Sequence, residues 1–109
     1  MPASFEIGIH PLALQGIEDA VAYISEHHSP EKAAEWADKL FDAIDSLGSM
    51  PDRCPLAPEN GKWGDEELRQ LLFQEYPSTY RILFHIDQNR VHVLQVRHGA
   101  RRWLHEEEA

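Results

Sequence analysis

The tripeptide Ser29-Pro30-Glu31 constrains the fold most, because it marks the start of a helix inside the chain. A serine hydroxyl caps a helix N-terminus, proline fits its first turn, and an acidic side chain favours the positive end of the helix dipole. Apolar residues recur at helical spacing on both sides, from Leu12 to Ile24 and from Ala33 to Leu47. The first helix is predicted from Pro11 to His27-His28. Two helices joined by so short a turn predict an antiparallel hairpin.

Four other segments have the pattern of β-strands. Residues 4–9 alternate between apolar and polar side chains, and residues 68–74, 79–86 and 91–98 are rich in β-branched, leucine and aromatic residues. The segment between the helices and these last three strands, residues 50–67, is rich in proline and glycine and has no period. Its length exceeds that of most structureless connections, so we predict a mobile or functional loop.

This order of elements predicts a single α+β domain over residues 1–109, with the acidic residues 104–109 as a disordered tail. We expect an N-terminal strand and an antiparallel two-helix hairpin packed on a four-stranded antiparallel sheet. Tyr80 and its alternate neighbours should face the helices, while Arg81 and its alternate neighbours should lie on an open face. Trp36 and Phe41 are expected in the core.

The charge is distributed unevenly along the chain. The net charge is −9, yet residues 68–103 contain six arginines and two acidic residues. Global acidity argues against a general nucleic-acid binder, because binding to phosphate backbones depends on basic side chains. The basic segment is therefore the predicted contact surface.

Cysteine content and hydropathy indicate a cytoplasmic protein. The single cysteine, Cys54, cannot form an internal disulfide, and no basic residue precedes Lys32 as a signal peptide would require. No apolar run approaches the roughly 18 residues of a membrane-spanning helix. We therefore expect no membrane association. We also expect no cofactor.

Antiparallel pairing of the last two strands would bring several arginines together. The start of one strand, Tyr80-Arg81, would then lie beside the end of the next, residues 97–102. Guanidinium groups bind phosphates or carboxylates through paired N–H donors. The sequence predicts a cationic site here.

Several stretches together resemble the RelE/ParE superfamily of toxins from type II toxin–antitoxin and plasmid-stabilisation modules. They are the helical hairpin, LGSMP (47–51), Arg69, YRILF (80–84) and VLQVRHGARR (93–102). The resemblance implies a small α+β fold, a bacterial or archaeal cytoplasmic setting, growth inhibition, and a small antitoxin that wraps the toxin. Whether the free protein forms a homodimer is left open.

The superfamily has two functional branches. Resemblance to the ribosome-dependent mRNA endonucleases would make Arg81 and Arg101 the residues that hold the scissile phosphate, with His98 or His105 as acid–base group. The second strand has no lysine and residue 103 is tryptophan, which departs from that branch. The ParE-like branch is described as poisoning DNA gyrase and needs no acid–base set. We favour it, with a target-binding surface formed by the following arginines: Arg69, Arg81, Arg97, Arg101 and Arg102.

Other interpretations remain beside these. A degenerate family member that only binds its antitoxin is a third possibility. Arg69 could pair with Glu75 or Asp87 instead of contacting a target. The alternation of the last strand places His92 and His98 on one side, but the sequence has no metal-binding motif, so we predict no metal site.

Overall fold

A computed structural model describes residues 4–62, 64–76 and 78–99. In chain order, its main elements are β1 (Glu6–Ile9), α1 (Pro11–His27), α2 (Pro30–Asp45), β2 (Arg69–Glu75), β3 (Ser78–Asp87) and β4 (Arg90–His98). Two short 3₁₀ helices, Ser46–Gly48 and Pro51–Arg53, follow α2. The predicted α+β fold is confirmed.

The start of α2 follows the capping chemistry that the sequence predicts, and α1 has caps of its own. The Ser29 hydroxyl accepts a hydrogen bond of 2.9 Å from the Lys32 amide at the start of α2. At the start of α1, His10 Nδ1 accepts one of 3.1 Å from the Leu12 amide. The His28 amide donates to the Ile24 carbonyl at 2.8 Å, which closes α1 immediately before α2 begins. The hairpin is therefore defined by local interactions.

The four strands form one sheet in the order β1-β4-β3-β2. The β2–β3 and β3–β4 pairs are antiparallel, but β1 runs parallel to β4, with Ile7 opposite Val91. The prediction of a fully antiparallel sheet is wrong for this one strand. A parallel pair needs a long crossover, and nearly the whole chain separates β1 from β4. No turn next to β1 could have indicated its direction.

The main core lies between the helices and one face of the sheet. Trp36 is fully buried there, with its ring centroid 5.5 Å from that of Phe73 and 5.0 Å from that of Tyr80. The predicted core positions of Trp36 and Tyr80 are confirmed. Phe41 is 40% exposed, so its prediction as a core residue is wrong. It lies beside Leu40, which occupies the buried stripe of α2.

The other face of the sheet is not open. Ala57 and Leu68, from the long loop, form a second small apolar cluster with Leu83 of β3, and Leu94 packs against it. We call residues 55–62 and 64–68 the covering segment. The expectation of an open face is wrong because this segment, despite its lack of periodicity, contributes apolar side chains at irregular spacing.

Candidate functional site

The structure places two of the predicted arginines side by side. Arg81 of β3 lies directly opposite Arg97 of β4. Their neighbours Tyr80, Ile82 and Val96 belong to the main core, so both arginines lie on the face away from the helices. The sequence prediction that antiparallel pairing joins these two positions agrees with this geometry.

Arg81 is nevertheless buried, with 7% of its surface exposed. Its Nε donates a hydrogen bond of 3.0 Å to Gln70 Oε1 on β2, and its Nη2 forms an ion pair with the carboxylate of Glu59. The Glu59 side chain is 3% exposed. Glu59 belongs to the covering segment, and its role could not be read from the sequence, because 22 residues separate it from Arg81. In this conformation Arg81 binds the covering segment, and its buried guanidinium group is not accessible to another protein.

Arg97 is partly buried beside this pair. Its Nη1 donates a hydrogen bond of 3.2 Å to Gln95 Oε1, and Gln95 is itself 4% exposed opposite Leu83. The chain continues from Arg97 and His98 to the end of the sheet at Gly99, whose amide donates to the Thr79 carbonyl at 2.7 Å. The predicted site residues Arg101, Arg102 and His105 lie outside the described residues.

Arg69 lies apart from this arginine pair. It is opposite Phe84, a main-core residue, and therefore lies on the helix side of the sheet. Its Nη1 donates to the carbonyl of Cys54 at 2.6 Å, and its Nη2 lies 3.1 Å from the Glu67 carboxylate. The suggested pairing with Glu75 is wrong, since Glu75 binds Lys39 at 2.9 Å. Arg69 anchors the two ends of the covering segment.

His98 faces the opposite side from Arg81 and Arg97. Its partner across the sheet is Tyr80, and the two rings meet edge to face with centroids 5.3 Å apart. The predicted alternation that placed His92 and His98 on one side fails because β4 contains a bulge. Leu83 pairs with Gln95 but Phe84 pairs with Val93, which leaves Leu94 as the extra residue. A bulge of one residue reverses the side to which later residues point.

The histidines at the other end of the covered face form a stacked pair. The rings of His85 and His92 are 4.7 Å apart, and His85 Nε2 lies 2.8 Å from the Glu66 carboxylate of the covering segment. Burial lowers the pKa of His85 and the nearby His92 lowers it further, while Glu66 and Asp87 oppose these effects. Among the described residues, no three potential metal ligands lie together.

The covered face therefore combines basic side chains on the sheet with acidic side chains from the loop. Arg81 meets Glu59 near one end and His85 meets Glu66 near the other. Chemically, such a face can bind carboxylates or phosphates once the loop's own carboxylates have left it. His98, which the endonuclease hypothesis names as the acid–base group, lies on the other face of the sheet from Arg81.

Comparisons with known proteins identify the family. The family model described as "ParE toxin of type II toxin-antitoxin system, parDE" matches residues 7–103, so the chain belongs to this family of toxins. A solved structure described as "Chromosomal ParDE TA system from P. aeruginosa" has a similar fold, with a TM-score of 0.71 at 12% identity. The similarity covers 88% of this chain and 97% of that one. A comparison with curated proteins finds no match.

The predicted resemblance to the RelE/ParE superfamily is thus confirmed. The protein is a toxin component of a type II toxin–antitoxin system, and membership of such a system implies an antitoxin as its partner. Neither described helix is long and apolar enough to cross a membrane.

Proposed function

We propose that this toxin inhibits growth by binding a target protein such as DNA gyrase, and that it does not cleave RNA. One observation supports this most. Arg81 and Arg97 lie on the covered face of the sheet, whereas His98, the histidine suggested as acid–base group, packs against Tyr80 on the helix side. A general acid or base must lie within hydrogen-bond reach of the reacting group, directly or through one water.

Within this proposal the arginines divide into two groups. Arg97, together with Arg101 and Arg102 that follow it in sequence, contacts the target. Arg69 and Arg81 hold the covering segment, as their hydrogen bonds to Cys54 and Glu59 support. The target contact takes place in the cytoplasm, and a cognate antitoxin prevents it.

Expression in a bacterial host tests the proposal. We expect viable counts to fall on induction of the wild-type chain and to recover with Arg97→Ala/Arg101→Ala/Arg102→Ala. The matched control is Arg90→Ala, expressed to the same soluble level. Arg90 is exposed beside a turn, and its ion pair with the Glu6 carboxylate is long, at 3.9 Å. This control should remain toxic.

Purified protein distinguishes the targets. We expect inhibition of gyrase supercoiling and no cleavage of mRNA on translating ribosomes. Ribosome-dependent cleavage that disappears with Arg101→Ala would contradict the proposal and favour the endonuclease alternative. Tight binding to the antitoxin without toxicity would instead indicate a degenerate member that acts only as a binding partner.

A further inference from the structure

We propose that the covering segment is a hinged cover that opens while the helices and the sheet stay folded, and that its opening exposes Arg81 and Arg97. In the closed state, Glu59 occupies the place that an acidic or phosphate group of a ligand would take beside Arg81. The Glu59–Arg81 ion pair, which we call the clasp, joins the cover to the sheet in the closed state. This inference concerns the conformation of the chain and does not depend on which target the toxin binds.

The first argument is the small amount of apolar surface that closes the cover. Among the described residues, its cluster consists of Ala57, Leu68 and Leu83, with Leu94 packed against it, and it is separate from the main core. Most other described residues of the cover are exposed. Segments with few buried apolar contacts open at much lower free energy than the core of the same protein.

The second argument is that the clasp itself contributes little net stability. Both charged side chains are almost fully buried in the closed state, at 8% and 3% exposure. The attraction between such groups is offset by the loss of their hydration, which they regain when they separate into water. Opening hydrates both groups, whereas removal of one group alone takes an ion-pair partner away from the other while it is still buried.

The third argument is that the boundaries of the cover are fixed. Arg69 donates to the Cys54 carbonyl, and the Gln70 amide donates to the Pro55 carbonyl at 3.0 Å. Between these anchors, the cover is held by turns and by two bonds at Leu68, whose carbonyl accepts from Ala57 at 2.7 Å and whose amide donates to Asn60 at 2.8 Å. Opening breaks these two bonds within the cover, whereas the anchors at Cys54 and Pro55 and strands β2 to β4 stay intact.

Native-state hydrogen exchange of the full chain is the first test. We expect the Ala57 and Leu68 amides to be at least about a hundredfold less protected than those of Leu40 in α2 and Ile82 in β3. Equal protection at all four positions would show that the cover opens only by global unfolding, and would overturn the proposal without any variant.

Glu59→Gln tests the clasp. It keeps the shape of the side chain and removes its charge, so exchange of the cover amides should rise about tenfold or more with core amides unchanged. Asp65→Asn is the matched control, since Asp65 is exposed in the same segment and the charge change is identical. Equal exchange in the two variants would rule out Glu59 as the clasp.

Chemical modification tests the exposure of Arg81 directly. Phenylglyoxal reacts with accessible guanidinium groups, and peptide mass spectrometry locates the product. We expect modification of Arg81 to be about tenfold faster in Glu59→Gln than in wild type, with exposed Arg90 as an internal reference of unchanged rate. An unchanged rate at Arg81 would contradict the opening.

Discussion

Arg81 and Glu59 show why a loss of activity after substitution of an arginine does not by itself identify a contact residue. Each side chain is buried and paired with the other. Removing one takes an ion-pair partner away from a charge that stays buried, which destabilises a protein more than the intact pair stabilises it. Substitutions at Arg81 therefore need a measurement of folding beside any measurement of toxicity.

We predict that Arg81→Ala lowers the free energy of unfolding by about 3–5 kcal/mol. The double substitution Arg81→Met/Glu59→Leu should recover most of this loss, because apolar groups of similar volume replace a buried ion pair at little cost. Urea denaturation, monitored by tryptophan fluorescence, measures the free energy of unfolding of both variants. A stability of Arg81→Ala equal to that of wild type would show that the pair is not buried in solution.

Gly16 is a second residue whose size matters. A Cβ atom at this position of α1 would lie 2.3 Å from the Val96 carbonyl oxygen of β4. We predict that Gly16→Ala lowers stability by about 1–3 kcal/mol through this clash, although alanine favours helices. Gly64→Ala is the control, because no atom lies within 4 Å of the corresponding Cβ. A thermal midpoint that is unchanged or higher in Gly16→Ala would contradict the close approach of α1 to the sheet.

At the scale of elements, the covering segment and the helices are stabilised in different ways. Each helix has its own capping interactions and contributes to the main core. The covering segment is held to the sheet by a small apolar cluster and by two acidic side chains, Glu59 at Arg81 and Glu66 at His85. Its closure should consequently respond to pH more than the rest of the fold does.

We predict that the cover opens more as the pH falls below about 6.5, the ordinary pKa of histidine. Burial lowers the pKa of His85 in the closed state despite the opposing effect of Glu66, which belongs to the cover. His92 and Asp87 also act on this pKa, but they lie on the sheet and stay beside His85 in both states. The open state therefore binds a proton more readily than the closed state, so protonation favours opening. The closed state keeps its full advantage above the ordinary pKa.

Hydrogen exchange at pH 7.5 and 5.5, corrected for intrinsic rates, measures this effect at the Ala57 and Leu68 amides. In His85→Gln the difference between the two pH values should shrink, because the titrating group has been removed. A cover that becomes more protected at pH 5.5 would mean that attraction between protonated His85 and Glu66 exceeds the cost of burial, and would reverse the predicted sign.

At the scale of the whole molecule, the sheet joins the two ends of the chain. β1 pairs with β4 although the helices, the covering segment and two strands separate them in sequence. Phe5, Ile7 and Ile9 pack against the main core, and β1 covers the edge of β4. The sheet is therefore completed by pairing between its first and last strands, which are the farthest apart in sequence.

We predict that a chain beginning at Pro11 loses several kcal/mol of stability and much of its cooperative unfolding. It lacks both the apolar side chains of β1 and the hydrogen-bond partner of β4. Glu6→Ala in the full chain is the control and should unfold like wild type, since Glu6 is exposed. A truncated chain with the urea midpoint of wild type would show that β1 is dispensable.

Structural features that depend on residues close together in the sequence could be predicted from it. The Ser29 cap, the two helices, the three strands after the loop and the adjacency of Arg81 with Arg97 agree with the structure. Each rests on a local period, a capping group or a short turn. The resemblance to toxins likewise rested on the order of these segments.

The sequence by itself determined which segments become helices and strands, because capping and periodic burial act over a few residues. Only the tertiary structure decided the parallel direction of β1, the bulge at Leu94 that turns His98 away, and the burial of Arg81 against Glu59. The parallel pairing and the ion pair join residues that are distant in sequence, and the bulge is defined only by pairing between two strands. Their energies depend on packing and desolvation in the assembled fold, which no local pattern contains.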